Sequence, residues 1–317
     1  MPPVTRLAPS PTGALHLGNA RTFLVNWLLA RQQGWRIVLR IEDLDSPRVK
    51  PGAEASVLED LRWLGLDFDE GPIRQSDRLD RYRAAVDRLL AEGRAYPCVC
   101  TRRDVERAAS APHAEDGATI YPGTCRDRFE SVAAAERFAG RGVAIRFRVD
   151  SEPIEFLDAF AGFQRFDPER QLGDFVIGRS DGSAAYQMAV VVDDAESNVT
   201  EVIRGDDLLS STPRQILVYR ALGKPQQIPR YTHLPLVVGA DGRRLAKRHG
   251  DSRVESYRRC GVPSERVLAL LARWCGIDTG DSVTAQGLLN RFNLTHLPRN
   301  PILFTPECDK FLREGAG

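Results

Sequence analysis

Residues 4–41 constrain the fold more than any other stretch. Residues 4–8 read as a short strand, and a turn rich in Pro and Gly follows. From Gly18 to Gln33 the apolar side chains Ala20, Phe23, Leu24, Trp27 and Leu28 recur at helical spacing. Gly34 then supplies the left-handed residue that commonly closes a helix. Arg36-Ile-Val-Leu-Arg-Ile41 reads as a buried strand. This is a β-α-β unit, whose crossover brings its two strands together in parallel. The expected fold class is α/β, with a parallel sheet covered by helices.

The later pattern extends that unit and interrupts it once. Helices are predicted at Ala53–Leu64 and Arg78–Glu92. After Tyr96, residues 97–128 are rich in Cys, Arg, Pro and Gly and show little periodicity, so they read as an insertion held by something other than a large core. Strands are predicted at Ala144–Val149, around Asp174–Ile177, at Ala185–Val192 and at Thr200–Arg204. Helices follow at Pro213–Leu222, Val254–Cys260 and Ser264–Cys275. A chain of 317 residues can bury a large core across more than one domain.

The net charge of +1 does not announce a nucleic-acid partner, but its distribution is uneven. Residues 42–70 carry nine acidic and three basic side chains, and residues 224–273 carry eleven basic and four acidic ones. The second block suits phosphates of a nucleotide or RNA, or else forms an ordinary solvated face. No segment approaches the ~18 apolar residues of a membrane span, and Met-Pro-Pro-Val-Thr-Arg lacks the apolar core of a signal peptide. A cytoplasmic location is expected, where thiols stay reduced. The clustering of Cys98, Cys100 and Cys125 therefore points to metal binding rather than disulfides. Cys260, Cys275 and Cys308 are expected to be buried or half-buried structural residues.

Two runs carry the chemistry. The first is Arg6-Leu-Ala-Pro-Ser-Pro-Thr-Gly-Ala-Leu-His16-Leu-Gly-Asn19, a strand end, a turn and a helix start. Backbone N–H groups at a helix N-terminus point at phosphate, and the helix dipole favours the anion. Gly13 and Gly18 leave the backbone without Cβ atoms there. His16 is placed to donate to charge building on a phosphorus centre. The second run is Gly242-Arg-Arg-Leu-Ala-Lys247-Arg-His-Gly250, a cationic loop between glycines.

Together these runs resemble the HIGH and KMSKS signatures of class I aminoacyl-tRNA synthetases, and the residues around them resemble the glutamyl group. The resemblance implies a Rossmann-like catalytic domain in two halves, 1–96 and 185–242. An inserted zinc-containing α+β subdomain at 97–184 separates them. The KMSKS-like loop and a short helical stem-contact-like region occupy 243–317, and no anticodon-binding domain is expected. It implies ATP binding by Thr12, Gly13, His16, Gly18, Asn19, Arg244 and Lys247, with His16 and Lys247 catalytic and Mg2+ accompanying ATP. Arg244, Ala246 and Arg248 depart from the family's Lys, Ser and Ser, while both cationic positions remain.

The same resemblance implies a glutamate pocket of Arg6, Ala8, Ser10, Glu42, Tyr186 and Arg204. Glu42 would pair with the ammonium, and Arg6 and Arg204 would fork onto carboxylates. For metal it implies one structural Zn2+ on Cys98, Cys100, Tyr121 and Cys125, with His113 a competing fourth donor. Asp127 stands where zinc-bearing full-length glutamyl enzymes tend to carry histidine. The Cys-x-Cys…Tyr-x-x-x-Cys spacing and the chain length resemble a short paralogous group, the glutamyl-Q tRNA(Asp) synthetases. That implies glutamate activation without tRNA and transfer to queuosine at the wobble position of tRNA(Asp), by a monomer. A shortened or partner-assisted enzyme charging tRNA(Glu), and a non-catalytic RNA- or protein-binding paralogue, are the alternatives.

Overall fold

A computed structural model of the chain describes residues 2–11, 13–44, 49–108, 120–243, 245 and 252–314. The chain begins with β1 (Val4–Leu7), α1 (Leu17–Gln33), β2 (Arg36–Ile41), α2 (Ala53–Trp63), β3 (Glu70–Arg74), α3 (Leu79–Ala91) and β4 (Ala95–Cys98). It continues through α4 (Arg102–Ala108), α5 (Val132–Ala139), β5 (Ala144–Phe147), β6 (Ile154–Asp158), β7 (Gly162–Phe166) and β8 (Val176–Gly178). Next come α6 (Tyr186–Glu196), β9 (Glu201–Gly205), α7 (Ser211–Ala221), β10 (Arg230–Leu234) and β11 (Val237–Val238). The last elements are α8 (Val254–Arg259), α9 (Ser264–Arg273), α10 (Ala285–Leu288), β12 (Ile302–Leu303) and α11 (Pro306–Arg313).

The parallel layer expected from the opening residues is present. β2 pairs in parallel with both β1 and β3, and β9 pairs in parallel with β10. The two ladders lie side by side: Thr200 N donates to Val4 O at 2.8 Å, and Arg6 Nη1 donates to Ile203 O at 3.4 Å. The strand order is therefore β3-β2-β1-β9-β10, and it reverses direction between β1 and β9. In an open α/β sheet, the crevice at the carboxyl ends beside such a reversal is where ligands bind.

Each face of the layer has its own core. On one face α1 packs with α9 and α10, and Leu17, Leu24, Leu28, Leu268 and Leu271 are buried there. Fully burying one such leucine contributes about 1.5–3 kcal/mol, so Leu24→Ala would cost roughly 2–5 kcal/mol once the cavity is counted. Gly34 closes α1 at φ 66°, the left-handed conformation expected of it. The opposite core joins α3, α6 and α7 to the antiparallel sheet β4-β5-β8, through Val86, Ile145, Phe147, Met188 and Leu217. No described helix is long and apolar enough to cross a membrane.

One predicted element has the wrong type. Residues 186–192 are helical, as the start of α6 with Ala185 as its extended N-cap, and not a strand. Met188 through Ala195 are all buried, so no polar stripe marks the helix. A continuous apolar run containing Val190, Val191 and Val192 reads equally well as a buried strand or a buried helix. Cys260 also departs from expectation, being exposed, while Cys275 is buried and Cys308 lies between.

Candidate active site

A cavity of about 290 Å3 opens at the carboxyl ends of β1, β2 and β9. Arg6, Ala8, Ser10, Glu42, Tyr186 and Arg204, dispersed along the sequence, all line it, as do His16, Gly18 and Asn19. β1 delivers Arg6 and the turn after it, β2 ends at Glu42, α6 begins at Tyr186, and β9 carries Arg204. Gly13 lines a different surface pocket, with Lys50 and Arg253, and a Cβ there would meet nothing within 4 Å. Thr12, Arg244 and Lys247 lie outside the described residues, as do His113, Ala246 and Arg248.

Arg6, Arg204, Glu42 and Asp207 all line this cavity. Arg204 is 5% exposed and donates only to neutral acceptors: His233 Nε2 at 2.9 Å, Gln215 Oε1 at 3.0 Å, Thr212 Oγ1 at 2.8 Å and Leu208 O at 3.3 Å. Among the described residues no carboxylate pairs with it. Four of its five N–H groups are thus engaged, which leaves one Nη1 hydrogen for a ligand. The expected fork from Arg204 is corrected accordingly: it can supply a charge and one short contact while its neighbours hold the rest. Arg6 is 4% exposed and is better placed to fork. Its Nε lies 3.5 Å from Asp194, and the one hydrogen bond of its guanidinium among the described residues is that from Nη1 to Ile203 O.

Glu42 faces these cations. Its side chain is 14% exposed and accepts from Arg40 Nη2 at 3.1 Å. Burial pushes its carboxyl above the usual range, against the pull of Arg40 and Arg6. An incoming ammonium would relieve that penalty. Burial likewise raises the Tyr186 phenol, and the nearby charge of Glu42 adds to the effect. Beneath the floor, Arg40 joins Asp194 and Glu42, while Asp193 accepts from Gln75, Arg78 and Tyr82. This network ties β2, α3 and α6 together under the cavity.

At the cavity's other end His16 caps α1. Its Nδ1 accepts from Asn19 N at 3.2 Å, so a neutral ring carries its proton on Nε2, the donor the chemistry requires. Gly18 lets this cap pack closely, because a Cβ there would stand 3.1 Å from His16 Nδ1 and 3.3 Å from Val237 Cβ, a few tenths of an ångström too tight. The backbone on either side of residues 246–251 is also fixed at this end. Leu245 N donates to Val237 O at 3.0 Å, Leu17 N to Ser252 O at 2.9 Å and Val254 N to Leu15 O at 2.8 Å. The flanks of the cationic loop are therefore hydrogen-bonded to the cavity wall and to the His16 turn.

The cysteines form a separate cluster. The Sγ atoms of Cys98, Cys100 and Cys125 all lie within 4.8 Å of one another. Tyr121 Oη lies 3.4 Å from Cys98 Sγ and 3.6 Å from Cys100 Sγ. A tetrahedral shell with Zn–S near 2.3 Å and Zn–O near 2.0 Å has S···O edges of roughly 3.5 Å, so the four donors fit a metal ion. Asp127 is held instead by Arg148 at 2.7 Å, away from the thiols. The small core of this region consists of Tyr96, Cys98, Val105, Tyr121 and Cys125, so the donors are themselves most of its packing.

Sequence reasoning missed one part of the site. His233 on β10 and Asp158 on β6 stand behind Arg204, with His233 Nδ1 2.6 Å from Asp158 Oδ2. No spacing connects these two residues, and only the docking of β6 on β10 brings them together.

Comparison with known proteins agrees with this geometry. The family model for tRNA synthetases class I (E and Q), catalytic domain, matches residues 3–307. A glutamyl-Q tRNA(Asp) synthetase of Symbiobacterium thermophilum is 48% identical, covering 98% of both chains. One from Rhodopirellula baltica is 45% identical over 94% of this chain and 95% of its own. A glutamate–tRNA ligase of Geobacter sulfurreducens is 44% identical over 95% of this chain, which spans 63% of that relative's length. Among solved structures, a glutamate tRNA ligase from Elizabethkingia meningosepticum in complex with its amino acid superposes with a TM-score of 0.80 at 27% identity, over 98% of this chain and 69% of that one. The chain belongs to the class I tRNA synthetases of the glutamate and glutamine type, a family of ligases.

Proposed function

We propose that this enzyme activates glutamate with ATP in the absence of tRNA and transfers it to queuosine at the wobble position of tRNA(Asp). The observation that carries the choice of amino acid is the charge pattern of one cavity. Two buried arginines, one of them without any carboxylate partner among the described residues, line the cavity together with the carboxylates of Glu42 and Asp207. Glutamate brings two carboxylates to answer Arg6 and Arg204 and one ammonium to answer Glu42. A glutamine side chain would leave Arg204 opposite a neutral amide, and a buried cation left unpaired costs several kcal/mol. The choice of acceptor rests on relatives of that name that match from end to end.

In the first step a carboxylate oxygen of glutamate attacks the α-phosphorus of ATP. The new O–P bond forms as the bond to pyrophosphate breaks. Gly13, Gly18 and Asn19, with Thr12, supply the backbone and side-chain contacts for ATP. His16 Nε2–H meets charge developing on the α-phosphate, and Lys247 and Arg244 neutralise the departing pyrophosphate with Mg2+. In the second step a hydroxyl of the queuosine ring attacks the glutamyl carbonyl, and AMP leaves. Cys98, Cys100, Tyr121 and Cys125 would hold a structural Zn2+, which would cross-link their segment and take no part in the reaction. The division into catalytic halves 1–96 and 185–242, insertion 97–184 and helical region 243–317 is proposed with this function, as is action as a cytoplasmic monomer.

A second reading, charging of tRNA(Glu), is favoured by the 44% identity to the Geobacter ligase. ATP–pyrophosphate exchange separates the two on one point. The proposal expects glutamate-dependent exchange without RNA, and exchange only after tRNA is added would contradict it.

A further inference from the structure

We propose that Asp158 and His233 form a tautomer lock that positions Arg204 for the substrate carboxylate, which makes them specificity-determining residues outside the family motifs quoted above. The inference rests on the reading of Arg204 as a glutamate contact. Its physical part stands on the hydrogen bonds alone.

The lock begins at the β6–β7 turn. Asp158 is buried, and its Oδ1 accepts from three backbone groups: Phe160 N at 2.9 Å, Ala161 N at 2.7 Å and His233 N at 3.2 Å. Those donors fix the carboxylate's orientation and leave Oδ2 facing His233 Nδ1 at 2.6 Å. The hairpin itself is anchored on β10, since Ala159 N donates to Tyr231 O at 2.8 Å. An acceptor of this kind requires the proton of the imidazole to sit on Nδ1. Nε2 is then an acceptor, to which Arg204 Nε donates at 2.9 Å and which Thr212 Oγ1 approaches at 3.2 Å. His233 is 1% exposed and stays neutral, because burial and the charge of Arg204 outweigh the attraction of Asp158.

The same logic runs through the other edge of the guanidinium. Gln215 presents Oε1 to Arg204 Nη1 because its Nε2 donates to Gln187 Oε1 at 3.0 Å, and Gln187 Nε2 in turn donates to Ser211 Oγ at 3.0 Å. Two of the four acceptors around Arg204, His233 and Gln215, are thus held as acceptors by partners of their own. The cation is clamped without being neutralised, so its charge remains available to a ligand. A carboxylate from the protein in place of His233 would hold the arginine as firmly but would cancel that charge. Preorganised supports of this kind fix a reacting or binding group within the tolerance its function needs.

Asp158→Asn tests the lock with no change of shape. The three backbone N–H groups would keep the amide oxygen where Oδ1 now stands. The amide NH2 would then face His233 Nδ1 as a donor, which drives the ring proton to Nε2. Nε2–H would oppose Arg204 Nε–H, two donors in place of a hydrogen bond.

The measurement is 15N NMR of the histidine rings of the full-length protein at neutral pH, with ATP–pyrophosphate exchange as the second readout. The expected wild-type result is a neutral His233 protonated on Nδ1. In Asp158→Asn the proton should move to Nε2, and KM for glutamate should rise at least tenfold while KM for ATP stays within about twofold. An Nε2-protonated or doubly protonated His233 in the wild type would overturn the lock without any variant. A reversed tautomer with unchanged glutamate KM would also overturn it. A wild-type enzyme that shows the Nδ1 tautomer but no glutamate exchange would sink the substrate reading and leave the lock standing.

Discussion

Arg204→Gln should separate function from stability. Arg204 is 5% exposed and makes four hydrogen bonds, all to neutral groups. In the empty enzyme the fold therefore carries the desolvation penalty of a buried cation without a carboxylate to repay it. Glutamine at this position keeps an amide that can donate to His233 or Thr212 and removes the charge. Loss of hydrogen bonds, about 1 kcal/mol each, is set against relief of the desolvation penalty, so the net change in stability should be small or favourable. The substrate loses much more, because its side-chain carboxylate would be buried against a neutral group. One charge-assisted contact is worth about 2–3 kcal/mol, which predicts a fall of roughly thirty- to 150-fold in kcat/KM for glutamate. KM for ATP should hardly move. Steady-state ATP–pyrophosphate exchange across glutamate and ATP concentrations reads the first effect, and thermal melting reads the second. Equal losses for both substrates, or a loss that tracks a large fall in Tm, would show that Arg204 supports the fold and not the ligand.

Other outcomes follow from the same geometry. Gly18→Ala should lower the exchange rate and cost about 1–3 kcal/mol in a urea melt, since its Cβ would press on both the His16 ring and Val237. Lys247→Ala, argued from the motif alone, should reduce the rate by about 2–4 kcal/mol of barrier with little change in glutamate binding, and an unchanged rate would remove it from the mechanism. Elemental analysis of protein purified without chelator should find about one zinc per chain, and Tyr121→Phe should weaken its retention against a chelator. His233 titrates near 6.5 when unfolded and at about 4 when folded, so the unfolded chain binds more protons between those values. Its contribution is complete above about pH 6.5 and falls by up to about 3 kcal/mol by pH 4, a loss that His233→Gln should abolish in paired urea melts.

The legibility of this chain followed the range of the interactions involved. β1, α1 and β2 were readable because local periodicity and Gly34 specify them without help from the rest of the chain. Helix α6 was not, since a segment buried on every side loses the polar stripe that would mark its period. The cavity residues were readable as a set through their likeness to a family pattern, although nothing local distinguishes Arg204 from any other strand-end arginine. What the pattern did not convey was how Arg204 is held. Its hydrogen bonds to His233, Gln215 and Thr212 depend on how α7 and β10 pack, and they turned an expected fork into a clamped charge with one N–H to spare. The tyrosine in the thiol cluster came from the likeness to a family pattern, and it lies close to two sulfur atoms, while its rival His113 lies outside the described residues.

The most direct test of the proposed function is glutamate acceptance by three RNAs: tRNA(Asp) with queuosine, tRNA(Asp) without it, and tRNA(Glu). With ATP and labelled glutamate, label should enter the queuosine-bearing tRNA(Asp) alone and should be released by mild alkaline hydrolysis of the ester. Label in tRNA(Glu), or equal label in both forms of tRNA(Asp), would contradict the proposal.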